Sequence, residues 1–167
     1  MYVSTFQTPN LTGITYIPGR PRQYRADCKV GQFKIGESKF TGAKLAMEIL
    51  SWRTFADQLF DYPHQTWLEV LFVDPHNIVS HILFKTESLD NFLNLTLDLA
   101  TEGTALGCGT TTATMSKRSG ELGVYYAVEF EWQPSPDQRV QELRSFATEH
   151  ELTMPKLKSV KLPELPA

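Results

Sequence analysis

The most constraining stretch of this chain is a period-two run near its end. Val124, Tyr126, Val128, Phe130 and Trp132 alternate with Tyr125, Ala127, Glu129 and Glu131, and only a strand sends successive side chains to opposite faces in this way. A Thr-rich segment, residues 110–115, precedes it, and Lys117-Arg118-Ser119-Gly120-Glu121 reads as the connection of a hairpin. A second hairpin stands upstream. Trp67-Leu68-Glu69-Val70-Leu71-Phe72-Val73 is β-branched and aromatic, Asp74-Pro75-His76-Asn77 has the chemistry of a turn, and residues 78–85 return. Between the hairpins, Leu89, Phe92, Leu93, Thr96, Leu99 and Ala100 fall at helical spacing. Thr86, Glu87 and Ser88 are candidates to cap that helix, and Gly103 to stop it.

The remaining segments are read with less periodicity to guide them. Residues 1–22 contain three prolines and two glycines and read as an extended arm with a short strand at 13–17. Residues 24–35 favour a strand, followed by a turn at Gly36-Glu37-Ser38-Lys39. Residues 43–52 favour its partner, with Leu45, Met47 and Ile49 on one side and a helix over 44–50 as the competing reading. Residues 54–65 read as an irregular connection rich in aromatics (Phe55, Phe60, Tyr62). After Pro134-Ser135-Pro136, Asp137 is placed to cap a short helix with Val140, Leu143, Phe146 and Ala147 as its stripe, and residues 155–167 read as a Lys/Pro tail. The expected organisation is thus an arm (1–22), a β-barrel or sheet domain (23–133) and a C-terminal helix with tail (134–167).

Composition narrows the function classes. The 167 residues carry 16 Lys+Arg and 19 Asp+Glu, for a formal charge of −3. That charge is uneven along the chain: residues 1–53 hold eight basic and three acidic side chains, residues 54–116 one basic and eight acidic. Uneven charge permits a cationic face on an acidic protein. No apolar run is long enough to span a membrane, no secretory leader is evident, and two cysteines do not make a disulfide framework. A cytoplasmic chain that does not engage membranes is therefore expected. Asp74, His76 and His81 straddle a turn without motif spacing for a metal, and Cys28 has no nucleophile signature around it. Gly107-Cys108-Gly109 lacks the rest of a phosphate loop. The chain reads as non-catalytic, with no cofactor or metal.

The order of elements, strands then one helix then a final hairpin, resembles OB-fold single-stranded-DNA-binding proteins of the bacterial and phage kind over about residues 24–132. There a helix plugs the bottom of a small antiparallel barrel. The basic hairpin segment 115–120 entering the aromatic strand 125–132, and the Arg25/Lys29/Phe33/Lys34/Lys39 strand and turn, are the local features of that resemblance. The chain is also similar to the PC4-like and Whirly curved-sheet proteins. Both resemblances imply a mainly β fold with helices (α+β) and a single-stranded nucleic acid, DNA before RNA, as ligand, with a homo-oligomer expected. Such binding needs cations along the phosphates and rings against the bases. Arg22, Arg25, Lys29, Lys34, Lys39, Lys117 and Arg118 are the phosphate candidates, and Phe33, Phe40, Trp52 and Tyr125 the stacking candidates. The competing reading is a protein-interaction module that binds no nucleic acid and docks through the aromatics of 54–62 and the tail.

Overall fold

A computed structural model describes residues 5–6 and 13–152 of the chain. The tail at 155–167 and most of the arm before residue 13 lie outside these described residues. Eight strands form one curled half-barrel sheet: β1 (Arg22–Asp27), β2 (Gln32–Ile35), β3 (Lys39–Gly42), β4 (Lys44–Asp57), β5 (Gln65–Val73), β6 (Val79–Lys85), β7 (Gly109–Gly120) and β8 (Gly123–Pro134). Their order across the sheet is β3-β2-β1-β6-β5-β4-β7-β8. Helix α1 (Thr86–Thr101) falls between β6 and β7, and α2 (Asp137–Glu149) follows β8. The mainly β architecture with one helix ahead of the last hairpin and another after it is the one expected from the sequence. No helix among the described residues is long and apolar enough to cross a membrane.

The inner face of the sheet is the one whose side chains form the main core. Tyr24, Phe33, Leu45, Met47, Ile49, Leu68, Val70, Phe72, Ile82, Phe84, Ala113, Met115 and Val128 meet Leu89 and Phe92 of α1 there. Alternation explains most of this set. The exception is β4, where the register against β5 slips between Ile49 and Ser51. The extra residue, Leu50, switches the parity, so Leu45, Met47 and Ile49 and then Trp52 all turn inward. A smaller outer cluster, Val73, Val79 and Leu143 with Tyr16, Leu50, Leu71 and Phe146, seats α2. Arg139 fastens that helix to β4 through two bonds to Glu48, at 2.9 and 2.6 Å.

Several expectations need correction. Residues 24–35 are two strands, β1 and β2, because Asp27 accepts bonds from the backbone of Lys29 and Val30 and turns the chain back. Six strands precede α1 where four were expected. Residues 43–52 are strand, not helix, and β4 runs on to Asp57 into the segment read as irregular. Lys117 and Arg118 belong to β7, and the hairpin turns on Glu121 and Leu122 with Gly120 facing Gly123 (φ +113°). Ser88 caps no helix; neither does Asp137, since Lys85 and Pro136 hold the cap positions without a side-chain bond.

Ser88 instead serves the sheet. Its hydroxyl accepts from the Val128 backbone N–H at 2.9 Å, and the Asn91 amide donates to the Val128 carbonyl at 2.9 Å. The outer edge of β8 is therefore satisfied at Val128 by a helix rather than by another strand. One residue pair along, Tyr126 N–H donates to the Cys28 carbonyl at 2.9 Å, which brings the β1–β2 turn against β8. Gly31 of that turn lies so close to the Tyr126 ring that an added Cβ would sit 2.7 Å from it. Gly103 (φ +69°) ends α1 as expected, with its N–H on the Ala100 carbonyl.

Candidate nucleic-acid interface

On the outer face, rings and cations lie side by side across several strands. Phe40 of β3 stands opposite Lys34 of β2, and Lys34 opposite Arg25 of β1. Lys34 Nζ lies 5.7 Å from the Phe40 ring centre, and the Arg25 guanidinium 5.0 Å from that of Phe60. Phe60 belongs to the β4–β5 connection, which folds over the outward-facing Trp67. Phe60 and Tyr62 both meet Trp67 edge to face, at 6.0 and 5.8 Å. Lys85, opposite Trp67 on β6, sits 4.2 Å over the Tyr62 ring. The result is a continuous ribbon from Phe40 through Lys34, Arg25, Phe60 and Tyr62 to Lys85. Its rings are open to solvent: Phe40 is 49% exposed, Phe60 57% and Tyr62 38%.

Two features show that this arrangement is held and not incidental. Trp67 is 3% exposed and its indole N–H donates to the Asp57 carbonyl at 3.2 Å, so it is a fixed floor under the two rings. Phe60 has φ +56°. A left-handed backbone at a bulky residue costs about 1–2 kcal/mol, and the surrounding contacts must hold it there.

Carboxylates temper the cations. Lys34 shares its charge with Asp27 at 3.3 Å. Burial pulls the Asp27 carboxyl up, but backbone N–H groups of Val30 and Lys29 together with Lys34 outweigh it and hold the group below its usual range. Arg25 is 4.0 Å from Glu37, whose side chain is exposed. Lys29 and Lys39 are exposed and form no ion pair among the described residues. Beside the ribbon, Glu69 accepts from His81 Nδ1–H at 3.2 Å and from Arg53 Nε–H at 2.7 Å. The His81 bond, with Arg53 assisting and burial opposing, lowers the Glu69 carboxyl from 4.5 to about 2. A depressed acid stabilises the fold above its unfolded value and loses that stabilisation as pH falls through its folded value. Stability is thus expected to decline between pH 4.5 and pH 2, and Glu69→Gln should flatten that limb in urea titrations at fixed pH. An unchanged acid limb would refute the assignment.

The sequence candidates are thereby sorted. Arg25, Lys34 and Phe40 come together in the ribbon, whereas Lys39, opposite the core-facing Ile35, lies on the other face of β3. Phe33 faces inward, is 0% exposed, and can stack on no ligand. Arg22 pairs with the buried Asp74 at 3.0 Å, away from the ribbon. Trp52 is as exposed as Tyr62, at 38%, but on the opposite face, where it meets Phe92 edge to face at 5.4 Å. Arg118 is held by Glu87 at 2.8 Å, near Glu129 at 3.8 Å, and Tyr125 donates to the same Glu87 at 3.2 Å. The Glu87 bond raises the Arg118 pKa further above its ordinary value, so the group is a spent cation within an ion-pair cluster. Lys117 stands opposite Tyr126 across the hairpin, and Lys29 belongs to the β1–β2 turn whose Gly31 packs on the Tyr126 ring, so neither joins the ribbon. Burial raises the Cys28 thiol, which keeps it protonated and unreactive.

Sequence reasoning missed Phe60, Tyr62 and Lys85 as members of one surface. The available signal was the aromatic content of residues 54–62. What it lacked was Trp67 as the outward-facing floor, a long-range placement invisible to local pattern. No family model, curated protein or solved structure matches this chain.

Proposed function

We propose that the chain binds single-stranded nucleic acid, DNA before RNA, without catalysis, along the outer-face ribbon. The observation that carries this reading is the continuous run of open rings and cations from Phe40 to Lys85, with buried Trp67 as the floor under Phe60 and Tyr62. Unpaired bases stack on flat rings without regard to sequence, and phosphates follow the intervening cations. Such a surface binds weakly per nucleotide and with little sequence preference.

The test is fluorescence anisotropy with a labelled deoxythymidine oligomer over a range of salt. With Arg25, Lys34 and Lys85 on phosphates, the logarithm of the affinity should fall against that of salt with a slope of about −2. Phe40→Ala and Phe60→Ala should each weaken binding by about 5- to 150-fold, the equivalent of about 1–3 kcal/mol per stacked base, and leave the slope unchanged. Lys34→Ala should reduce the slope by about 0.7. Absence of binding at low salt, or binding indifferent to Phe40 and Phe60, would refute the reading. In that event the protein-interaction reading takes precedence. Its support is that Glu37, Asp57 and Asp61 are exposed around the rings, a mixed-charge border better suited to a protein partner than to phosphates.

A further inference from the structure

Among the described residues, the sheet has an edge that nothing occupies. β4 pairs with β7 only over residues 44–47 and with β5 from residue 48 onward. The turn at Leu106–Cys108 lies beside Ile49, where Gly107 would set a Cβ 3.6 Å from the Ile49 carbonyl. Beyond it, from residue 53 to 57, the side of β4 turned away from β5 has no strand beside it. The two outermost strands differ from it. β3 has four residues, and the middle of β8's outer edge, at Tyr126 and Val128, is taken up by Ser88, Asn91 and Cys28. The free stretch, Arg53-Thr54-Phe55-Ala56-Asp57, has no proline, no lysine and no bulge, the devices that normally keep an edge solitary.

We propose that this edge pairs antiparallel with the same edge of a second copy of the chain, centred on Phe55. An antiparallel self-pairing must place residues of equal parity opposite one another, so each register is centred on a residue. Centring on Arg53 opposes two guanidiniums, centring on Asp57 opposes two carboxylates, and centring on Thr54 or Ala56 leaves Arg53 and Asp57 unpaired with each other. Centring on Phe55 sets ring against ring, Thr54 against the second copy's Ala56, and Arg53 against the second copy's Asp57 twice over. The atoms for those two ion pairs are uncommitted. Arg53 gives Nε to Glu69 and its guanidinium lies over the Phe55 ring, 4.6 Å from the centre, while neither Nη group has a hydrogen-bond or ion-pair partner among the described residues. Asp57 uses only Oδ1, for the backbone of Gln58. Opposite charges and facing aromatics are the cross-strand pairs that stabilise a sheet, and like charges directly opposite weaken it. The open cleft of about 270 Å³ beside this edge, lined by Leu50, Ser51, Trp52 and Leu106, lies where the second copy's chain leaves its own β4. This inference stands independently of nucleic-acid binding.

The test is sedimentation equilibrium of the full chain at micromolar concentration, where a dimer is expected. Arg53→Asp and Asp57→Arg should each weaken the dimer by at least about tenfold, because both symmetric pairs become repulsive. The Arg53→Asp/Asp57→Arg double variant should recover dimerisation, which neither single change can mimic by misfolding. Asp57→Arg leaves the Arg53–Glu69 bond in place and serves if Arg53→Asp loses the fold, as judged by circular dichroism. A monomeric wild type, single variants that dimerise normally, or a double variant no better than the singles would overturn the proposal.

Discussion

Asp74→Ala is expected to destabilise the protein by about 3–5 kcal/mol, the range seen when one partner of a buried charged pair is removed. The Asp74 side chain is 0% exposed and serves two functions at once. Its Oδ1 accepts the backbone N–H groups of His76 and Ile78, both at 2.9 Å, and so shapes the β5–β6 turn. Its Oδ2 accepts the Tyr24 hydroxyl at 2.7 Å and Arg22 Nη1–H at 3.0 Å, which ties that turn to β1. Burial first, then the carboxylate itself, pushes the Tyr24 phenol up to about 12, so Tyr24 remains a donor at every ordinary pH. Alanine would leave these donors without their shared acceptor. For a chain of this size the melting temperature should fall by about 10 °C or more. Asp74→Asn retains an acceptor for the turn and should lose less. A urea midpoint for Asp74→Ala equal to that of the wild type would contradict this account.

Phe92→Ala is the second large effect, about 3–5 kcal/mol from lost burial and the cavity left behind. Phe92 is 0% exposed and stands between the two arms of the sheet, with Trp52 of β4 and Phe130 of β8 each meeting it edge to face at 5.4 Å. Removing the ring takes the support from under Trp52. Unfolding in urea, followed by tryptophan emission, should show an earlier midpoint and a red-shifted native signal. A loss below about 1 kcal/mol would mean that the core closes over the gap, contrary to the tight packing of interiors.

The contrast among these residues shows what local pattern can convey. Val128 and Phe130 were legible as inward residues because strict alternation leaves one reading. Phe33 obeys the same alternation, yet it was grouped with Arg25 and Lys29 because the turn at residues 28–31 was not seen. That turn returns the chain as β2, so strand parity counted across it means nothing. Trp52 was misplaced by a single bulged residue, Leu50, which has no sequence signature. Arg118 was read as a phosphate candidate in the hairpin connection, and only tertiary structure reveals Glu87 within reach. The asymmetry of charge was real, but ion pairs formed by distant segments consume much of it. Phe40, Lys34 and Arg25 could be listed from the sequence; that they are cross-strand neighbours could not.

The way the sheet is sewn together bears on how it comes to exist. Arg22 lies opposite Ser80, and Lys44 opposite Thr114. Partners so remote in sequence must close large loops before any contact rewards them, so folding in milliseconds to seconds is expected rather than in microseconds. Helix α1 leaves the ribosome ahead of the strand it must clasp, and Ser88 and Asn91 have nothing to hold until β8 has emerged. A half-made chain therefore displays the greasy lining of its sheet, and its passage through synthesis depends on whatever shields that lining until the last hairpin arrives.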